Sequence, residues 1–203
     1  MSISSSFLAG VLAAGLAFTA GQARGAVIYS GPLNISIPES FDGVYIDIDT
    51  GASGSSTTVP GWDVNPFFGG SVIAVNGSFQ PVADGPTNTS VIQRLDVDEE
   101  IDGSRIFMAT PGGSSEHMGP ASNQFKEGVE SYFAFEFVPE GSSTTCYGWV
   151  SLEVTANNPG GRVTGWAYES TGAPIKVGAV PEPSALLLLG LVPVLAWRRR
   201  RVG

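Results

Sequence analysis

Residues 131–138, SYFAFEFV, carry a phenylalanine at every second position from Phe133 to Phe137. In a β-strand successive side chains point to opposite faces of the sheet, so this spacing collects the phenylalanines on one face. A helix would distribute the same residues around its circumference, because its period is 3.6 residues. The stretch therefore predicts a strand whose phenylalanine face lies in a hydrophobic core. The alternating set is Phe133, Phe135 and Phe137 against Tyr132, Ala134 and Glu136.

Two further stretches show the same alternation, residues 44–50 (VYIDIDT) and residues 146–155 (CYGWVSLEVT). Period-two alternation over such lengths predicts strands with one face in the core. The apolar positions are Val44, Ile46 and Ile48 in the first stretch, and Val150, Leu152 and Val154 in the second.

Turn-forming residues separate the predicted strands. The pair Asn76-Gly77 stands between two apolar runs, and such a pair is the strongest short-range signal for a β-hairpin. No window of eleven or more residues between the chain ends has a convincing helical period. We therefore predict an all-β fold, a single domain of the β-sandwich or jelly-roll type.

The first 26 residues are typical of a secretory signal peptide. An apolar run over residues 7–18 is followed by small residues as far as Ala26, the pattern that precedes signal cleavage. The stretch before the run offers only the amino terminus as a positive charge. We expect this segment to direct the chain to export.

The end of the chain predicts a membrane anchor. Residues 185–197 are all apolar, Gly or Pro, and four arginines follow. About 20 apolar residues are needed to cross a ~30 Å hydrocarbon core, so this run must recruit its flanks or thin the bilayer. The positive-inside rule places the arginines in the cytoplasm. A C-terminal helix in the inner membrane would then hold the body on the other side.

The order of a Pro-Glu-Pro triplet, a short apolar run and an arginine cluster resembles the PEP-CTERM sorting signal of Gram-negative bacteria. In that family an exosortase, a membrane protease or transpeptidase, cuts near the triplet. The resemblance implies an exosortase as partner, with the triplet recognised and the arginines holding the tail in place. Two prolines fix φ and remove backbone donors, so the triplet presents a stiff, extended substrate. The implied sorting residues are Pro181, Glu182, Pro183, Arg198, Arg199, Arg200 and Arg201.

Three parts follow from these features: a signal peptide at 1–26, an extracytoplasmic β-sandwich body at 27–178, and a sorting and anchor segment at 179–203. A fainter likeness to PEP-CTERM proteins extends upstream through YGWVSLEVT and GWAYES. It implies a common surface domain. It implies no activity, because the family is defined by its tail.

The body is strongly acidic. Residues 27–178 contain 18 Asp and Glu against 5 Lys and Arg, a net charge of −13. Such a domain repels nucleic acid and anionic membrane surfaces, so neither is expected as a partner. Cys146 is the single cysteine, which leaves no intramolecular disulfide and a fold held by its core.

The densest acidic run, LDVDEEIDGS, is a candidate calcium site. Asp96, Asp98 and Asp102 precede the turn residue Gly103, and carboxylate oxygens are the ligands that calcium prefers. The spacing does not fit an EF-hand loop. A solvated strand end and turn is the competing interpretation. A weaker second half-site is the pair on one strand of the 44–50 stretch, Asp47 and Asp49.

Catalysis has little support, and we expect no enzyme. His117 is the single histidine, and no G-x-S-x-G sequence occurs, so neither a Ser-His-acid triad nor a His-rich zinc site is indicated. Glycoside hydrolysis needs only two carboxyl groups. Glu136 and Glu153 on neighbouring predicted strands are the candidates for it.

Aromatic residues suggest a third kind of site. Trp166 and Tyr168 share one face of a predicted strand, and exposed flat rings there would stack on sugar rings. The competing interpretation places both rings in the core.

The sequence therefore predicts an exported, exosortase-sorted structural or interaction protein of the cell envelope or extracellular matrix. It would be membrane-anchored by its C-terminal segment and then reach the cell surface or the extracellular space after processing. The first alternative is a carbohydrate-binding module on extracellular polysaccharide. The second alternative is a glycan-active enzyme.

Overall fold

A computed structural model describes residues 26–54, 58–87, 90–108, 124–155 and 160–181. The described part is built of β-strands and one 3-10 turn at Phe68–Gly70. This confirms the prediction of an all-β fold, and the strands form several antiparallel sheets. The strands are β1 Val27–Tyr29, β2 Ile35–Ile37, β3 Tyr45–Ile46, β4 Ser53–Gly54, β5 Val64–Phe67, β6 Val72–Val75, β7 Gln80–Pro81, β8 Arg94–Leu95, β9 Glu100–Ile101, β10 Glu130–Phe137, β11 Cys146–Glu153, β12 Gly161–Glu169 and β13 Ile175–Lys176.

The predicted signal peptide, except for Ala26, lies outside the described residues, as do His117 and the sorting segment from Glu182 onward. Among the residues that are described, none belongs to a helix long and apolar enough to cross a membrane.

Three long strands form the centre of the large sheet. β10 and β11 pair antiparallel over eight residues, from Glu130 opposite Glu153 to Phe137 opposite Cys146. β11 pairs with β12 in the same way, with a bulge between Ser151 and Leu152. Of these, β10 and β11 are the strands that the alternation of residues 131–138 and 146–155 predicts, because each presents one side-chain set to the core.

Short strands complete both edges of this sheet. β1 and β2 pair with opposite ends of β12, while β7 and β8 pair with different parts of β10. Each outer position of the sheet is thus shared by two separate segments. Splitting an edge in this way leaves only short stretches of unpaired backbone.

A four-stranded sheet, in the order β4-β3-β5-β6, shares the main hydrophobic core with the inner face of the large sheet. The predicted apolar positions of residues 44–50 and 131–138 all lie in this core. The rings of Phe79 and Phe135 stack at 4.5 Å, and Phe135 meets Phe137 edge-on at 5.5 Å. Burial of a large apolar side chain contributes about 1.5–3 kcal/mol, so the phenylalanine stripe is a main source of stability.

The outer face of the large sheet is also partly covered, which the alternation of its strands does not predict. Strands β9 and β13 pair with each other and place Ile101, Ile175 and Val177 against Ala134 and Trp149. Ala134 and Trp149, expected on a solvent face, are therefore buried.

The Asn76-Gly77 pair forms a turn, and the predicted hairpin is wrong. Gly77 has φ +60°, and the Phe79 amide donates to the Asn76 carbonyl at 3.2 Å. The flanking strands nevertheless join different sheets, since β6 pairs with β5 and β7 with β10. The turn passes the chain from one layer to the other.

The packing around Gly148 on β11 leaves no space for a larger side chain, and this can be tested. A Cβ added there would collide with the Phe135 ring and stand 2.6 Å from the Ala167 carbonyl oxygen. We predict that Gly148→Ala lowers the free energy of unfolding of residues 26–181 by about 1–3 kcal/mol, because backbone and ring must shift.

The matched control is Gly165→Ala on β12, where the nearest atom to an added Cβ is 3.4 Å away. Urea denaturation should show this control within about 1 kcal/mol of the unsubstituted protein. Equal stability of the two variants would contradict the packing described for Gly148.

Candidate functional site

The structure places Trp166 and Tyr168 on one face of β12, and that face is the core. Their exposed fractions are 3% and 8%, and the Tyr168 ring meets Phe137 edge-on at 5.0 Å. Buried rings cannot stack on a saccharide in solution. The pair therefore does not form the exposed platform considered from the sequence, because packing against β10 takes up their surface.

The structure does not bring Asp96, Asp98 and Asp102 together. Asp96 forms an ion pair with Arg94 at 2.9 Å. Asp98 occupies a turn with φ +70°, and Asp102 accepts hydrogen bonds from the backbone and hydroxyl of Ser104. No group of three or more His, Cys, Asp or Glu side chains in the described ranges is arranged to hold a metal ion. These contacts match a solvated strand end and turn.

A second acidic cluster joins the four-stranded sheet to the β10–β11 loop. Asp63 accepts a hydrogen bond from the Ile48 amide at 2.8 Å, and Asp49 accepts one from the Glu140 amide at 2.6 Å. Burial first, and then the charges of Asp47, Asp49 and Glu140, raise the pKa of Asp63 to about 7. Burial also raises the pKa of Asp49. Burial and the neighbouring carboxylates therefore disfavour the ionised form of Asp63.

The uncovered half of the outer face carries a row of charged side chains across the three long strands. Glu130 on β10 is opposite Glu153 on β11, and Glu153 is opposite Arg162 on β12. Arg162 donates to both oxygens of Glu153, from Nε at 3.1 Å and from Nη2 at 2.7 Å. Two parallel charge-assisted bonds hold both planar groups in one orientation.

Next to this row, hydroxyl groups form a connected chain. Thr164 Oγ1 lies 2.7 Å from Glu130 Oε1 and 2.8 Å from Ser151 Oγ. Tyr132 donates its hydroxyl to Glu130 at 3.3 Å. Burial, followed by the charge of Glu130, raises the pKa of Tyr132, so it keeps its proton at neutral pH.

Aromatic rings line the side of the same depression. The rings of Tyr29 and Tyr132 lie 6.0 Å and 5.7 Å from Trp149 between centroids. Trp149 is buried, while both tyrosines are half-buried. Gly178 and Val180 also line this open depression, whose volume is about 440 Å³. We name this depression, from Tyr29 and Trp149 to the Glu130–Glu153–Arg162 row, the outer-face cleft.

The outer-face cleft continues beyond the charged row. Glu153 and Arg162 also line a neighbouring depression of about 540 Å³, together with Asn34, Ser36 and Thr155. The two depressions therefore share the ion pair as a common wall. An extended ligand has room on both sides of it.

The segment that leads to the chain end is fixed on the same face. Glu169 accepts backbone hydrogen bonds from Thr171 at 3.0 Å and Ala173 at 2.7 Å, which hold the turn after β12. Beyond β13, Trp149 donates its indole N–H to the Ala179 carbonyl at 3.2 Å. Pro181, the last described residue, is exposed.

Residues 179–201 match the family described as the PEP-CTERM protein-sorting motif. The match covers the end of the chain and not its body, and it implies an exosortase-targeted, secreted surface protein with a C-terminal sorting signal. Neither a curated protein nor a solved structure matches the chain.

The outer-face cleft was not predicted from the sequence, because its polar residues resemble ordinary surface charge. Glu130 and Arg162 are exposed and 32 positions apart, and only the register through Glu153 joins them. One signal was available: Glu153 and Arg162 flank the NNPGG turn between two predicted strands, where cross-strand neighbours are expected.

The Asp63 cluster predicts a pH dependence of stability. The pKa of Asp in an unfolded chain is near its ordinary value of 3.8, whereas the pKa of folded Asp63 is about 7, so the folded state binds the additional proton between these values. The contribution of Asp63 is full below about pH 4 and is lost as the pH rises through 7, at up to about 1.4 kcal/mol per pH unit. Melting temperature should therefore fall from pH 5 to pH 8.

Asp63→Asn should flatten this fall, because asparagine does not titrate. The control is Asp84→Asn, an exposed carboxylate that likewise accepts a backbone hydrogen bond, from Val91 at 3.0 Å, and it should keep the fall. A pH profile identical in all three proteins would refute the assignment to Asp63.

Proposed function

We propose that the chain is an interaction protein of the cell envelope or extracellular matrix, built as a β-sandwich body sorted by an exosortase. The observation that carries the proposal is the junction between the two parts. Ala179, whose carbonyl accepts the Trp149 hydrogen bond, is also the first residue of the matched sorting motif. Cleavage near the triplet would therefore release or transfer a body whose chain end stays fixed to its own sheet.

The short anchor and the negative charge of the body support a role in contacts at the cell surface. An apolar run short of a full span, followed by arginines, suits temporary anchoring in the inner membrane before processing. A body with a net charge of −13 is repelled by anionic lipid and by nucleic acid. Its partners would then be neutral or cationic groups outside the cell.

We also propose that the body is not catalytic. Glu136 is opposite Tyr147 and Glu153 is opposite Glu130, so the carboxylate pair expected from the sequence is separated by six positions. At about 3.3 Å per residue that is roughly 20 Å, beyond the 5–10 Å that glycoside hydrolysis requires. Burial raises the pKa of Glu136, as for an acid catalyst, but its cross-strand neighbours are Tyr147 and Gln80.

The sorting proposal is tested by replacing Pro181, Glu182 and Pro183 with alanine. We expect the variant to stay in the membrane fraction at full length, whereas the unsubstituted chain is converted to a shorter form. Replacing Arg198 to Arg201 with glutamine should also impair conversion, because the charge asymmetry is lost. Intact mass and an antibody against the body would read both outcomes.

Pro174→Ala is the control for this experiment, since Pro174 is an exposed proline of the body a few residues upstream. It should mature normally. Normal maturation of the triple-alanine variant would refute recognition of the triplet.

The absence of catalysis is tested with neutral polysaccharides. We expect the chain to release no reducing ends from β-glucan or chitin above the level of a buffer blank. The remaining carboxylate pair, Glu130 and Glu153, is the one to monitor, because the two are cross-strand neighbours. Release of reducing ends that disappears in Glu130→Gln and Glu153→Gln would overturn the proposal.

A further inference from the structure

We propose that the outer-face cleft is a binding site for a neutral saccharide chain. The proposal rests on the proposed function, since it names the partner class of an exported interaction protein. The proposed site lies on the face of the large sheet opposite to the buried rings of Trp166 and Tyr168.

The aromatic side of the cleft offers apolar surface that is already held in place. Tyr29 and Tyr132 both pack on Trp149, and both remain partly accessible to solvent. Trp149 in turn is fixed by its hydrogen bond to Ala179. Rigid rings with polar tips contribute contact area at low cost in conformational entropy, because few side-chain torsions must be frozen.

The polar side offers hydrogen-bonding groups of both kinds. Sugar hydroxyls donate and accept, and the cleft has acceptors on Glu130 and donors on Arg162. The hydroxyl of Thr164 lies 2.7 Å from Glu130 Oε1. These groups hold one another through bonds of 2.7–3.1 Å across β10, β11 and β12. A ligand therefore meets oriented partners and need not order them, which reduces the cost of binding.

Size and charge select the class of ligand. A volume of about 440 Å³ lies within the usual range of small-molecule sites, and the adjoining depression beyond the ion pair allows a chain of several units. Two carboxylates against one guanidinium leave the cleft negative, in a body of net charge −13. Uronate, sulfate or phosphate groups would be repelled, which excludes anionic chains as ligands of this cleft.

The test uses the full chain, purified in a detergent that has no sugar head group. Calorimetric titration with cellotetraose and with N-acetylchitotetraose should give saturable binding of at least one of them. Tetragalacturonate, an anionic chain of the same length, should not bind at the same concentrations.

Two substitutions localise the binding. Tyr132→Ala removes one ring, and Arg162→Lys keeps the charge but removes the two-pronged hydrogen bonding of the guanidinium. We expect each to weaken binding of the tetrasaccharide at least tenfold. The Arg162 side chain is 47% exposed, so its replacement keeps the test valid even if Tyr132→Ala fails to fold.

The matched controls are one tyrosine and one arginine that lie outside the cleft. Tyr45 packs edge-on against Trp62 at 5.0 Å, and Arg105 donates to Glu99 and to the Glu100 carbonyl. Tyr45→Ala and Arg105→Lys should bind the tetrasaccharide like the unsubstituted chain.

Three results would overturn the proposal: no binding of either neutral chain, unchanged binding in Arg162→Lys, or tighter binding of tetragalacturonate. These results are independent of sorting. A chain that matures normally and binds no saccharide refutes the cleft alone, while saccharide binding with normal maturation of the triple-alanine variant refutes the sorting proposal alone.

Discussion

The pairing of β11 along both of its edges is the constraint on which the rest of the structure depends. One edge bonds to β10 over eight residues and the other to β12, so the backbone of the strand is satisfied within the sheet. Gly148 at its centre leaves space that the Phe135 ring occupies. Because the register is fixed there, every side chain of the three strands is assigned to one face or the other.

That assignment gives the large sheet two chemically different faces. The inner face is apolar along its length and meets the four-stranded sheet. The outer face is divided: the half bearing Ala134 and Trp149 is covered by β9, β13 and the following segment. The other half, from Glu130 to Arg162, stays open. The outer-face cleft lies at this boundary, where the covering segment ends and polar side chains begin.

The inner face could be predicted from the sequence because the residues that define it lie close together in the chain. A phenylalanine at every second position from 133 to 137 encodes both the strand and its buried side within a few residues. The segments that complete the sheet edges are two or three residues long, too short for such periodicity. Asn76-Gly77 marks a turn locally, yet which sheet each flanking strand joins depends on partners far along the chain.

The outer face could not be predicted because its contacts span long distances in sequence. Trp149 bonds to a carbonyl 30 residues away, and the Glu130–Glu153–Arg162 row exists only once the β10–β11 and β11–β12 registers are known. An exposed glutamate or an exposed arginine, considered alone, is indistinguishable from ordinary surface charge. Similarly, the alternation placed Trp166 and Tyr168 on one face but did not say which face was solvated.

The sorting motif and the outer-face cleft lie next to each other at the end of the described chain. The sorting motif is readable in sequence as a linear signal, and the cleft exists only in the fold, yet the two meet at one point. Val180 lines the cleft, and Pro181 of the triplet follows it directly. Since Ala179 is held by Trp149, no free linker separates the signal from the sheet. Attachment through this end would therefore hold the cleft beside the point of attachment.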